Sequence, residues 1–211
     1  MRKMLVVAAL LMSQCIFAQS DKRATAILDG MSNKYKTMTS FKVAFTYTNE
    51  GPGTKESLKG DATVKGTKYR LKMAGQEIFN DGKTMTTYIK ESNEATVNIY
   101  DPKDSGDIDP TKIYTIYKKG YKYVFIEEVT ESGRVYEVVE LSPDKKDSKI
   151  AKVQIKVDKK DKSVKSWKVT QRSGQRLVFR VDKFTPNVKV EDKFFAFDAA
   201  QYKGVEVIDL R

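Results

Sequence analysis

The chain has no histidine and a single cysteine in 211 residues. Missing histidine removes the commonest general base and the commonest nitrogen ligand for a metal. The cysteine, Cys15, falls in an N-terminal stretch that reads as a removable leader. Beyond that stretch the chain can form no disulfide framework, no zinc site of the usual kind and no Ser/His/Asp or Cys/His nucleophile. Chemistry by carboxylates alone, as in glycosidases, survives this filter. The available acids, such as Glu77, Glu94, Glu127 and Glu128, are scattered and form no recognisable pair. A protein without catalytic function, cofactor or metal is expected.

Long apolar runs are lacking too, except at the start. Arg2 and Lys3 make a positive n-region, Met4 to Met12 is apolar throughout, and the small residue Ala18 closes the stretch. That is the form of a secretory signal peptide. Its apolar core of nine residues is well short of the ~20 a membrane-spanning helix needs. Cleavage after Ala18 places Gln19 at the new N-terminus and leaves residues 19–211 as one ordinary domain. A lipoprotein leader ending at Cys15 is the rival. It wants small residues before the cysteine, where Met12, Ser13 and bulky, polar Gln14 stand. An exported, soluble protein carrying no lipid is expected.

What the chain has in quantity is lysine. The formal charge of +11 falls to +9 once Arg2 and Lys3 are gone. The lysines are scattered, and pairs such as Lys118-Lys119, Lys145-Lys146 and Lys159-Lys160 sit beside glycine or aspartate at turns. This is a solvated face that keeps the domain soluble; attraction to anionic membrane surfaces or acidic partners is the sharper alternative. Nucleic acid is not an expected partner.

One segment has a helical period. Ala24, Ile27, Leu28, Met31, Tyr35 and Met38 recur at three- and four-residue spacing, so an amphipathic helix is predicted over Asp21 to Met38. Ser20 or Asp21 can cap it, and Gly30 inside it costs about 1 kcal/mol. From Ser40 onward the period is two. Phe41, Val43, Phe45 and Tyr47 alternate with polar or small residues, as do Leu58, Ala62 and Val64, then Tyr69, Leu71 and Met73. The pattern returns around Phe79, Met85 to Ile89, Val97, Tyr121 to Val129, Val135 to Leu141, Ile150 to Val157, Val164 to Val169 and Leu177 to Phe184. Antiparallel strands joined by turns such as Asp81-Gly82 and Ser132-Gly133 are predicted, in one large curved sheet or barrel.

Between Asp101 and Gly120 the pattern breaks. A polar loop with four aspartates lacks the spacing of an EF-hand and reads as a solvated capping loop. Pro110 then opens a short predicted helix with Ile113, Tyr114, Ile116 and Tyr117 on one face. An apolar interior wrapped by one sheet is either a packed core or a ligand cavity, and the pattern alone favours the packed core.

Three stretches bear on that choice. Ala26-Ile27-Leu28 runs through to Phe41-Lys42-Val43-Ala44-Phe45; Gly60-Asp61-Ala62-Thr63-Val64-Lys65-Gly66 leads to Asn80-Asp81-Gly82-Lys83-Thr84 and Tyr88; the C-terminus reads Phe195-Ala196-Phe197, then Lys203-Gly204-Val205-Glu206-Val207-Ile208-Asp209. In order and spacing these resemble the periplasmic outer-membrane lipoprotein carrier family (LolA-type) over nearly the whole chain after the leader. The resemblance implies a mainly β, α+β fold: an unclosed antiparallel β-barrel with an N-terminal amphipathic helix and a short helix over its mouth. It also implies a periplasmic carrier that shields the acyl chains of lipoproteins on their way from inner to outer membrane. The implied partners are acylated lipoproteins, an inner-membrane lipoprotein-releasing transporter and an outer-membrane acceptor, with the carrier a monomer. A periplasmic lipid- or lipoprotein-sensing regulatory domain of the same fold is the alternative.

On that reading Phe45, Tyr47, Leu71, Met73 and Ile89 line the acyl-chain cavity, sharing the apolar phase of their strands. Met31 and Met38 add adaptable surface. Ile113, Tyr114, Ile116 and Tyr117 form a lid. Family members hold their lid closed with an arginine at the hairpin after the Gly-Asp strand. That position is Gly66 here, and Arg70 is the nearby candidate to replace it.

Overall fold

The computed structural model describes residues 21–102, 110–111 and 113–211. The leader and most of the aspartate-rich loop lie outside the described residues. One α-helix, α1 (Lys22–Lys36), precedes twelve strands: β1 (Phe41–Gly51), β2 (Thr54–Lys65), β3 (Lys68–Met73), β4 (Gln76–Asn80), β5 (Thr84–Ile89), β6 (Glu94–Ile99), β7 (Tyr121–Glu131), β8 (Arg134–Pro143), β9 (Ile150–Asp158), β10 (Val164–Gln171), β11 (Arg176–Pro186) and β12 (Glu206–Asp209). They form one sheet in the order β12-β6-β5-β4-β3-β2-β1-β11-β10-β9-β8-β7. All neighbours are antiparallel except β12, which runs parallel to β6. β12 and β7 are not joined, so the large curved sheet of the alternating pattern is the unclosed barrel the resemblance implies.

The long pairing of β1 with β11 closes the two halves into one sheet, and a bulge between Ala44 and Phe45 bends it. The strand-forming reason is visible across the registers. Phe41 faces Val64, which faces Tyr69; Val43 faces Ala62, which faces Leu71. Every second residue thus meets an apolar neighbour on one inner face, and α1 lies on that face. Its stripe of Ala24, Ile27, Leu28, Met31 and Tyr35 is buried against Val139, Leu141, Val153, Ile155 and Val157. Asp21 fixes where the helix begins. Oδ1 accepts from the Arg23 and Ala24 amides at 2.8 and 3.3 Å, and Oδ2 accepts from the Phe125 amide of β7 at 2.7 Å. Those bonds, led by the one from Phe125, hold the carboxyl below its ordinary pKa.

The Asn-Asp-Gly-Lys-Thr turn between β4 and β5 is built by its own side chains. Asn80 Oδ1 accepts from the Gly82 amide, and Asp81 Oδ1 accepts from the Lys83 and Thr84 amides, each at 2.8 Å. The C-terminal segment crosses the opposite, outer face of β3 to β6 and makes a second small core. Phe195 is fully buried there, and Phe197 and Tyr202 pack on Phe79 and Tyr88. Among the described residues no helix is long and apolar enough to cross a membrane.

The segment predicted as a helix from Pro110 takes another form. Its described residues are successive turns ending in a single 3-10 turn at Ile116–Lys118. Tyr114 and Tyr117 anchor it to α1, and Ile113 and Ile116 pack on the core.

Candidate binding cavity

Inside the sheet, under this segment, lies an apolar cavity of about 70 Å³. Val43 and Phe45 (β1), Ala62 (β2), Leu71 (β3), Trp167 (β10), and Phe179 and Val181 (β11) form its walls, and Pro110 and Ile113 close it. Phe179 joins the aromatic wall: it lies 4.9 Å from Tyr47, 6.0 Å from Phe45 and 5.5 Å from Trp167, centroid to centroid. Two larger depressions, about 460 and 570 Å³, are lined by lysines and carboxylates together with other residues, and share no residue with this cavity.

Of the residues expected to line acyl-chain space, Phe45 and Leu71 do form the wall. Tyr47 flanks it through Phe179. Met73 lies with Leu71, Gln76 and Ile78 around a neighbouring void of about 30 Å³. Met31 is fully buried in the packed core beneath α1, and Met38 is half-buried against the same core. Ile89 is half-buried at the end of β5, opposite Gln76, and is not part of the wall. Val43, Ala62, Trp167, Phe179 and Val181 were not singled out from sequence, although each sits in the period-two pattern or beside it.

The four residues expected to form a lid make different contacts. Ile113 closes the cavity, and Ile116 packs against the core. Tyr114 stacks on Tyr35 of α1, with centroids 5.4 Å apart and planes 6° from parallel. Tyr117 is buried, meets Tyr123 edge-on at 5.9 Å, and donates from its hydroxyl to Asp29 Oδ1 at 2.6 Å. Burial first, and then the neighbouring Asp29 carboxylate, push that hydroxyl's pKa up to about 12. Tyr35 Oη in turn accepts from the Val164 amide at 3.1 Å, so helix, lid and β10 are tied through two rings.

Arg70 does not take the role suggested for it. Its side chain lies on the outer face, paired with Glu77 and set over the Phe79 and Phe194 rings at 4.4 and 4.8 Å. The physical reason is strand phase: Arg70 alternates with Tyr69 and Leu71, which face inward. Gly66 sits at φ +60 in the β2–β3 hairpin with nothing within 4 Å of where a Cβ would stand. The segment over the cavity meets α1 instead through Tyr114 on Tyr35 and Tyr117 on Asp29. Among the described residues no cluster of histidine, cysteine, aspartate and glutamate could hold a metal.

Fold and cavity together define an unclosed β-barrel with an apolar interior under a docked cover. Residues 36–198 match the family described as outer membrane lipoprotein carrier protein LolA, and the chain belongs to that family. Among solved structures, an uncharacterised conserved protein from Thermus thermophilus is similar at 11% identity and TM-score 0.61, over 89% of this chain and 99% of that one. A LolA superfamily protein from Nitrosomonas europaea is similar at 13% identity and TM-score 0.45, over 83% and 98%. MucB is similar at 17% identity and TM-score 0.50, over 84% of this chain and 63% of MucB. No curated protein matches the chain in sequence.

Proposed function

We propose that residues 19–211, released from the leader by cleavage after Ala18, act as a periplasmic, non-enzymatic carrier that shields the acyl chains of lipoproteins between the two membranes. The observation that carries this is the apolar cavity covered by a segment of turns that docks on α1 through Tyr114 and Tyr117. Its volume is well below the ~300 Å³ at which ligand pockets begin, so an acyl chain enters by displacing Ile113 and its neighbours. Each buried CH₂ gains about 0.8 kcal/mol, so a long acyl chain gains on the order of 10 kcal/mol. That gain is what offsets the loss of the Tyr117–Asp29 bond, the Tyr114–Tyr35 stack and the packing of Ile113 and Ile116 on the core.

On this reading a monomeric carrier receives cargo from an inner-membrane transporter and yields it to an outer-membrane acceptor. A lipid-sensing regulatory domain is the second reading, kept by the fold likeness to MucB, which has been solved in complex with MucA. The test is uptake of a diacylated peptide that displaces the dye ANS from the folded protein. A disulfide between Ile113→Cys and Val43→Cys, which face the same cavity, should abolish uptake until it is reduced. Failure of the uncrosslinked protein to bind dye or peptide would overturn the carrier reading. Normal uptake by the crosslinked protein would show the cover to be fixed scaffold.

A further inference from the structure

The chain has one tryptophan, and it stands in the cavity wall, midway along β10. Trp167 is 6% exposed, and its ring is stacked on Phe179 with planes 29° apart. Its partners across the sheet are Ile155 on one side and Phe179 on the other, both hydrocarbon. The indole Nε1–H is buried and meets no acceptor among the described residues. Buried donors are rarely left this way, because the hydration they give up is not replaced. Phenylalanine would fill the same wall without the penalty. A donor on a side chain of an otherwise hydrocarbon wall has its use when something carrying an acceptor enters.

We propose that Trp167 Nε1 donates a hydrogen bond to a carbonyl oxygen of the cargo, so that the cavity selects ester-linked acyl chains over chains of equal length that lack the carbonyl. This rests on the carrier reading above. The chemistry narrows the partner. An indole N–H only donates, so the cargo must accept. A free carboxylate would bring an unbalanced charge into a dry cavity with no cation among the described residues of its wall. An ester carbonyl is a good acceptor and carries no charge. The group that links each acyl chain to its glycerol is therefore read by the protein, and the hydrocarbon only fills space.

A single tryptophan gives a single indole resonance in the ¹H–¹⁵N spectrum, so the wild-type protein reports the bond directly. Two probes suffice: a lipopeptide with two ester-linked palmitoyl chains, and the same peptide with ether-linked hexadecyl chains. The ester probe should move the indole proton downfield and bind about tenfold more tightly than the ether probe, the increment of one buried hydrogen bond. Trp167→Phe, followed by calorimetry, should bind both probes with the wild type's affinity for the ether. Equal affinities and equal indole shifts in the wild type would overturn the inference, as would a preference that survives in Trp167→Phe. If that variant does not fold, the wild-type resonance decides alone. Binding of neither probe is a separate outcome: it overturns the carrier reading, and this inference with it.

Discussion

Gly60 stands opposite Phe45 on the neighbouring strand, and a Cβ there would lie 2.6 Å from the ring's Cζ and 2.8 Å from the backbone oxygen of Lys72. The ring can turn aside but the carbonyl cannot, so the requirement is for space rather than for an unusual backbone angle. Gly60→Ala should destabilise by about 1–3 kcal/mol, as overpacking does, and push Phe45 into the cavity. Thermal melting measures the first effect and weaker ANS binding the second. Tyr117 is the complementary case, a single atom that holds a segment. Tyr117→Phe keeps the ring and loses the bond to Asp29, whose carboxylate is exposed and can rehydrate. The loss should therefore fall below the usual range for bonds to a charged acceptor, to about 1 kcal/mol. Amide exchange at Ile116 to Lys118 should quicken about fivefold, with the rest of the sheet unchanged.

Elements show where the sequence was readable. The strands were legible because each buries one face, which writes a period of two into the chain, and α1 because its stripe keeps helical spacing. The cover was not. Ile113, Tyr114, Ile116 and Tyr117 suit a helix by spacing, yet Tyr114 on Tyr35 and Tyr117 on Asp29 hold the backbone in turns instead. Three of the seven strand residues in the cavity wall were hidden for a different reason. Trp167, Phe179 and Val181 reach Phe45 only through the pairing of β11 with β1, and no local pattern announces which distant strands meet. Within α1, Gly30 has an ordinary helical backbone, and a Cβ there would touch only the flexible Lys162 side chain at 3.4 Å. Gly30→Ala should accordingly stabilise by about 0.5–1 kcal/mol, seen as a higher melting temperature with cargo binding intact.

The whole molecule carries two cores, one on each face of the sheet, and carboxylates of lowered pKa hold segments to both. Asp192 accepts from Lys65 and Lys68 at 2.8 and 2.7 Å, and these bonds lower its pKa from 3.8 to about 2. Burial alone would raise Glu77, but bonds from Lys72, Arg70 and Tyr202 outweigh it and hold the carboxyl below 4.5. Both folded values lie under the unfolded ones. Their stabilisation is therefore complete above pH 4.5 and drains away as pH falls toward 2. The C-terminal segment should loosen in that window, and so should α1, whose cap Asp21 also has a lowered pKa; amide exchange across residues 192–209 and 22–36 checks it. The gap between β12 and β7 matters at this scale as well. A closed barrel has its radius set by strand number and stagger, because every strand is bonded on both sides. Here the two rims are free of each other, so the sheet can flatten or tighten like a cupped hand without breaking a single ladder bond. On the carrier reading, room for cargo is set by how far that hand opens, and chains of different length and branching can share one protein.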